Sequence, residues 1–198
     1  IIADYTAKDA GGTENKRSRY LSQKELASLF VAMRNTPNFG RQNEIAVNLL
    51  LMLCVRKMEL LAAKWRDFDL EQGYWLLTAN NKTGRELVIP LPDQAVTLLQ
   101  ELQVFACGSP FLFPARLIRP NQRFGHVSPD TLNLALTRLD MGDIDHFTVH
   151  DMRRTARTHL SALGVNSDVA ERALNHKIKG LEANYNQYQF LRERKEAL

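Results

Sequence analysis

A single stretch of β-type composition, residues 65–90, interrupts a chain that otherwise carries helical periodicity. Within this stretch, Tyr74–Thr78 and Glu86–Ile89 have the composition of strands, and turns are expected near Gly73 and over residues 80–84. Strands joined by short turns pair as neighbours in an antiparallel sheet. The sequence therefore predicts an α+β domain that is mainly α-helical and contains a small antiparallel β-sheet.

Helix start and stop signals surround this stretch. Ser22 followed by Glu25 forms a capping box, and Thr148 followed by Asp151 forms another that opens a helix ending at Gly164. The remaining periodic segments predict helices over residues 42–55, 58–65, 92–105, 128–139 and 166–176, and residues 181–198 are helical in composition.

Length and composition fit one large domain. The chain has 198 residues, of which 44% are hydrophobic and 24% are charged, as is usual for globular proteins. Two distant cysteines argue against a disulfide framework or a zinc site and favour a reducing, intracellular setting. Residues 1–20 are polar and indicate a linker, whereas residues 21–198 form the folded domain.

Basic residues are concentrated in two places. Residues 102–129 include a stretch without acidic side chains that carries Arg116, Arg119 and Arg123, and Arg154 and Arg157 belong to a second cluster. Such surfaces suit phosphate backbones, although a solvated basic face would have the same composition. The net charge of +4 alone decides nothing.

Several polar residues could carry chemistry. His150 and Arg153 lie three residues apart at the start of a predicted helix, where they share a face and could hold an anion, although this spacing also occurs by chance. Arg56 follows an apolar run and needs either a partner, for which Glu59 is available, or a ligand. Weaker signals are Lys82 in a hairpin turn and His176 followed nine residues later by Tyr185.

The order and spacing of these residues resemble the catalytic domain of the tyrosine recombinase (phage integrase) family. The landmarks are Arg56 in segment 53–65, Lys82 ahead of segment 88–91, His150 with Arg153, His176, and Tyr185. The resemblance covers about residues 20–198, and the segment after Tyr185 is similar to integrases of prophages and genomic islands. It implies the tyrosine recombinase catalytic-domain fold and site-specific DNA recombination for the integration or excision of mobile DNA.

The resemblance also implies a role for each landmark. Arg56 and Arg153 would clamp the scissile phosphate, and Glu59 would support the site. His150 and His176 would complete the anion pocket and assist proton transfer. Lys82 would protonate the departing 5′ oxygen. Tyr185 would attack phosphorus and form a covalent 3′-phosphotyrosine intermediate. Neither a metal nor a cofactor is implied.

Partners and location are implied in the same way. The expected partners are double-stranded DNA attachment sites, further copies of the chain on DNA, and accessory proteins that bend DNA or set direction, but no membrane. The location would be the bacterial cytoplasm, in association with the nucleoid. The linker would follow an N-terminal DNA-binding region.

Two departures and three alternatives accompany the resemblance. Cys54 and Asn175 stand where the family often has glycine, which puts the local geometry in question. Tyr188 is a rival nucleophile, but its distance from His176 is less typical. The chain could instead nick and rejoin DNA as a type IB topoisomerase does, or be a non-catalytic DNA-binding remnant of a prophage integrase.

Overall fold

The computed structural model describes residues 18–78, 84, 86–115, 125–176 and 188–198. A three-stranded sheet is flanked by helices on both sides in sequence, which confirms the mainly helical α+β prediction. The elements are α1 (Gln23–Asn35), α2 (Arg41–Leu53), α3 (Lys57–Leu61), a 3₁₀ helix (Trp65–Asp67), β1 (Phe68–Asp69), β2 (Tyr74–Leu77), β3 (Leu87–Pro90), α4 (Asp93–Ala106), α5 (Asp130–Leu136), α6 (Val149–Ala162), α7 (Ser167–Ala173) and α8 (Leu191–Ala197).

The sheet is antiparallel throughout, in the order β1-β2-β3. Its register pairs Trp75 with Ile89 and Leu77 with Leu87, and these four side chains are buried. Tyr74 and Leu76, the alternate residues of β2, are exposed. The sheet therefore packs one face on the core and turns the other outward, as the period of two in a strand requires.

Helix α2 lies at the centre of the domain and contacts α3, α4, α5 and α6. Its side chains Ile45, Leu49, Leu50 and Leu53 are almost completely buried. Each such side chain contributes roughly 1.5–3 kcal/mol when it leaves water. The C-terminal end of α2 is consequently held firmly, and the residues that follow it are placed by the core.

Both predicted capping boxes are present. Ser22 and Glu25 cap α1, and Thr148 and Asp151 cap α6. The backbone N–H of Leu21 donates to the Thr155 hydroxyl at 2.9 Å, which ties the start of the domain to α6. Residues 1–17 of the predicted linker lie outside the described residues.

The C-terminal segment, residues 181–198, is helical in composition, and residues 188–198 of it are described. Phe190 has a φ of +51°, and α8 begins after it. A left-handed residue cannot lie inside a right-handed helix, so Phe190 marks the start of α8. Helix α8 packs against β3 and α7 of the same chain.

Arg194 fastens α8 to the sheet. Its side chain is 1% exposed and donates from Nε to the carbonyl of Gln189 at 2.9 Å and from Nη2 to the carbonyl of Val88 at 2.8 Å. Burial lowers the pKa of Arg194 to about 10, and the charge of Arg172 acts in the same direction. None of the helices within the described ranges has the length and apolar character needed to cross a membrane.

Candidate active site

Arg56 stands at the junction between two helices. Helix α2 ends at Cys54, and Arg56 is the residue that precedes α3. Its backbone N–H donates to Glu59 Oε2 at 2.8 Å, and its Nη1 donates to Glu59 Oε1 at 2.7 Å. Glu59 therefore holds both the backbone and the guanidinium of Arg56, as the predicted pair requires, while the Arg56 side chain stays 24% exposed.

Arg153, in α6, is buried with only 6% exposure. Its guanidinium donates from Nη1 to the carbonyl of Cys54 and from Nη2 to the carbonyl of Leu174. Burial and, to a smaller extent, the neighbouring charge of Arg56 lower the pKa of Arg153 to about 10, against the opposing effect of Glu59. Within the described residues its hydrogen bonds go to backbone carbonyls rather than to a carboxylate.

A cavity of about 800 Å³ joins these groups. Arg56, Glu59, His150 and Arg153 all line it, so His150 and Arg153 share a face as their spacing predicts. Positive charge predominates on its charged side chains, because the lining also includes three further basic residues, Lys57, Lys64 and Arg66. The cavity is therefore suited to an anion.

Those three basic residues are not among the sequence predictions. Lys57 Nζ donates to the carbonyl of Pro129 at 2.8 Å, and Lys64 Nζ lies 5.3 Å from the centre of the Phe111 ring. The Arg66 side chain is 77% exposed. The signal in the sequence that could identify them is the concentration of basic residues between Arg56 and Arg66.

His176 follows α7 and does not line this cavity. Its Nδ1 lies 2.7 Å from Oε2 of Glu171, and its side chain is 42% exposed. Leu174, two residues before His176, accepts a hydrogen bond from Arg153, and Arg153 lines the cavity. The structure thus brings four of the predicted site residues around one cavity and places His176 beside them.

The sequence pattern of the Phage integrase family matches residues 19–192, which is most of the chain. The chain belongs to the phage integrase family. Prophage integrase IntA of Escherichia coli K12 is 32% identical over 173 residues, which are 86% of this integrase chain and 40% of IntA. The chain thus spans less than half the length of this relative.

Solved integrase structures share the fold. The integrase from mycobacterium phage Brujita superposes with a TM-score of 0.66 at 16% identity, over 94% of this chain and 58% of that one. A lambda integrase tetramer bound to a Holliday junction gives a TM-score of 0.63 at 18% identity, over 90% of this chain and 53% of that one. The predicted tyrosine recombinase catalytic-domain fold is confirmed.

The two departures from the glycines often found in integrases fall on left-handed backbone. Cys54 has a φ of +55° and Asn175 a φ of +50°, in the region where glycine is most at ease and asparagine is tolerated. The carbonyls that Arg153 contacts belong to Cys54 itself and to Leu174, which precedes Asn175. Both positions keep the glycine-like conformation despite carrying side chains.

The remaining basic residues of α6 have partners in the integrase itself. Arg154 Nη1 lies 2.6 Å from Asp151 Oδ1, and the Arg154 side chain is 34% exposed. Arg157 Nε donates to Glu171 Oε1 at 2.8 Å, and its other nitrogens donate to Ser161 and Ser167. The predicted DNA contacts of both arginines stay predictions.

Five predicted site residues lie outside the described residues: Lys82, Arg116, Arg119, Arg123 and Tyr185. The rival nucleophile Tyr188 is described, and its hydroxyl lies 3.3 Å from Glu193 Oε1. The negative charge of Glu193 raises the pKa of Tyr188, which makes its phenolate harder to form. Within the described part of the integrase, no group of three or more His, Cys, Asp and Glu side chains is arranged to hold a metal ion.

Proposed function

We propose that this chain cleaves and rejoins double-stranded DNA at specific sites during the integration or excision of mobile DNA. The proposal rests on the observation that Arg56 and Arg153 line the same cavity. A buried guanidinium that lies near a second cation and donates only to carbonyl groups keeps a positive charge that a bound anion can neutralise. The scissile phosphate of DNA is the anion that phage integrases act upon.

The proposed reaction is a transesterification. The Tyr185 hydroxyl gives up its proton, a transfer that His150 and His176 would assist, and its oxygen attacks phosphorus. The bond from phosphorus to the 5′ oxygen breaks, and Lys82 gives that oxygen a proton. The products are a 3′-phosphotyrosine and a free 5′ hydroxyl. Because the phosphotyrosine keeps the phosphoester, attack by a 5′ hydroxyl rejoins the strand without a nucleotide cofactor.

In this proposal the residues that line the cavity stabilise the transition state. Charge accumulates on the non-bridging oxygens in the transition state, and a guanidinium can contact two of those oxygens at once. Arg56, Arg153 and His150 would supply this stabilisation by themselves, so we propose a route without a metal. Glu59 would keep Arg56 in place through its two hydrogen bonds.

We further propose that the chain acts as a multimer on DNA attachment sites in the bacterial cytoplasm, with help from DNA-bending or directionality proteins. The lambda integrase tetramer on a Holliday junction supports the multimer. In this structure α8 is docked on its own chain. Hydrogen exchange with and without DNA tests the idea, because docking onto a neighbour should change the protection of residues 191–197.

Trapping on a nicked suicide DNA substrate tests the catalytic proposal. The chain should form a covalent adduct that survives denaturation, and Tyr185→Phe should abolish it. Tyr188→Phe is the matched control and should retain the adduct. Tight binding without an adduct would indicate a non-catalytic binding module, and relaxation of supercoils without sequence preference would indicate a topoisomerase. Full dependence of the adduct on added Mg²⁺ would contradict the metal-free route.

Lys82 has a separate test. Lys82→Ala should slow cleavage of ordinary DNA by about 100-fold, as removal of a general acid does. A substrate with sulfur at the bridging 5′ position should restore the rate, because a thiolate leaves without a proton. Equal impairment on both substrates would make Lys82 a DNA-positioning residue.

A further inference from the structure

Three side chains of α6 and α7 form a continuous chain of hydrogen bonds, here called the α6–α7 brace: Arg157, Glu171 and His176. Glu171 is its centre, with Oε1 2.8 Å from Arg157 Nε and Oε2 2.7 Å from His176 Nδ1. Each carboxylate oxygen therefore serves a different partner. The brace does not line the cavity of about 800 Å³ that holds Arg56 and Arg153.

The charge state of Glu171 fixes where the His176 proton lies. Burial would raise the pKa of Glu171, but hydrogen bonds from Arg157 and His176 prevail and lower it. An ionised carboxylate can only accept hydrogen bonds. His176 Nδ1 must therefore carry a proton to make the observed contact, which leaves Nε2 as the ring nitrogen able to face a ligand.

Arg157 is held as firmly as Glu171. Its Nη2 donates to Ser167 at 3.2 Å and another of its nitrogens donates to Ser161, so the guanidinium connects α6 with the start of α7. Its side chain is 25% exposed. A side chain with this many partners loses them if it turns toward DNA, which favours a bracing role.

We propose that Glu171, held by Arg157, is a positioning residue that sets the orientation and tautomer of His176. This inference rests on the proposed function, in which His176 contributes to the phosphate site. It adds Glu171 and Arg157 to that site as residues that act through His176. It also assigns Arg157 to the protein framework rather than to DNA.

The direct test is nitrogen-15 NMR of the histidine rings in the whole chain, with the His176 signals assigned by their loss in His176→Ala. The wild-type ring should be protonated at Nδ1. Glu171→Gln should move the neutral ring toward the Nε2-protonated tautomer, because the anionic acceptor is gone. Absence of the Nδ1 proton in the wild type, or an unchanged spectrum in Glu171→Gln, overturns the inference.

Cleavage kinetics provide the second readout. Glu171→Gln should lower the single-turnover cleavage rate about 10-fold, at the lower end of what losing the partner of a functional histidine costs. DNA affinity should stay unchanged. Glu101→Gln is the matched control, because Glu101 also accepts two hydrogen bonds from an arginine, Arg41, remote from His176. That control should change neither the rate nor the His176 spectrum.

A double-mutant cycle separates this inference from the proposed function. If Glu171 acts through His176, adding Glu171→Gln to His176→Ala should slow cleavage no further. An additive loss overturns the inference and leaves the proposed function standing. If His176→Ala cleaves normally while Glu171→Gln still shifts the tautomer, the positioning geometry holds and the assignment of His176 to catalysis fails. Arg157→Gln should shift the tautomer in the same direction.

Discussion

Arg153 and Arg157 lie one helical turn apart on α6, yet their guanidinium groups have different kinds of hydrogen-bond partner. Arg157 donates to the carboxylate of Glu171 and to two serine hydroxyls. Arg153 is more deeply buried and donates to two backbone carbonyls. Arg157 is therefore held between α6 and α7 by a carboxylate and two hydroxyls. Among the described residues, Arg153 is held in place by carbonyls alone, and it keeps its charge for an external anion.

This arrangement has an energetic consequence at Arg153. Its folded pKa of about 10 lies below the ordinary value for arginine, because burial disfavours the charged form. Both folded and unfolded chains are protonated at neutral pH, and the destabilisation is constant there. Stability contributed by this group rises only above about pH 10, where the unfolded chain binds more protons. Binding of a phosphate offsets the same destabilisation at neutral pH.

The largest expected effect comes from Arg153→Lys. The ammonium keeps the charge but cannot reproduce the planar, two-nitrogen contact that a guanidinium makes with phosphate oxygens or with the two carbonyls. Adduct formation on the suicide substrate should fall by at least about 100-fold, comparable to the loss of an oxyanion donor. The variant should still fold, because the capping box of α6 is unaffected.

Arg41→Lys is the matched control for that loss. Arg41 makes a two-point contact with Glu101 and does not line the cavity, so its replacement should leave cleavage unchanged. Equal cleavage by Arg153→Lys and the wild type would contradict the phosphate-clamp role.

The second effect separates backbone shape from side-chain chemistry. Asn175→Val and Asn38→Val both place a β-branched residue at positive φ, +50° and +62° respectively. Each should lower the free energy of unfolding by about 1–3 kcal/mol. Only Asn175→Val should also slow cleavage, by about 10-fold, because only there does the preceding carbonyl contact Arg153.

Asn175→Gly decides what the Asn175 position contributes. Glycine removes the asparagine side chain and accepts the left-handed backbone, so cleavage should remain near the wild-type rate. A loss in Asn175→Gly as large as that in Asn175→Val would show that the side chain matters and the backbone conformation does not.

Cys54 gives a smaller, pH-dependent effect beside Arg153. Burial raises the pKa of the Cys54 thiol from 9.0 to about 12, although the charges of Arg153 and Arg157 oppose it. Between those values the unfolded chain loses the proton and the folded chain keeps it, so stability falls as the pH rises. At pH 10 the wild type should have lost about 1 kcal/mol relative to Cys54→Ala.

Denaturant unfolding of both proteins at pH 8 and pH 10 measures this difference. Cys107 is the matched control, because it also ends a helix with a positive φ but is exposed. In the native chain Cys107 should react with a maleimide well before Cys54. Equal reactivity of the two thiols would contradict the burial of Cys54.

The smallest effect concerns DNA affinity. Arg154 is the more exposed partner in its ion pair, so Arg154→Gln should reduce the slope of log affinity against log salt by about 0.9, the contribution of one phosphate contact. Arg157→Gln should leave the slope unchanged, since the Arg157 guanidinium is held by Glu171, Ser161 and Ser167. The reverse result would reassign the two arginines.

Local signals in the sequence predicted much of this fold. The capping boxes at Ser22 and Thr148 each depend on residues three apart, and the alternation in β2 depends on residues two apart. Local patterns do not encode the position of α8, because tertiary contacts decide it. Arg194 donates to the carbonyl of Val88 and places this helix against β3.

The residues of the candidate site could be predicted from their spacing in the sequence, but the contacts that hold them in place could not. Arg56 and Glu59 are three residues apart, so their pairing is visible in the sequence. The contacts of Arg153 with Cys54 and Leu174 join residues 99 and 21 positions apart. The Arg157 and Glu171 pair is likewise distant in sequence, and opposite charges occur in too many combinations for one pair to be selected.

Helix α8 also covers the margin of the sheet. Strand β3 is an edge strand of the described sheet, and Arg194 donates a hydrogen bond to the carbonyl of Val88 in that strand. An uncovered outer strand is a template for pairing with strands of other molecules. Removal of residues 191–198 should therefore make the chain prone to aggregate, a consequence for handling and storage that is independent of DNA and of catalysis.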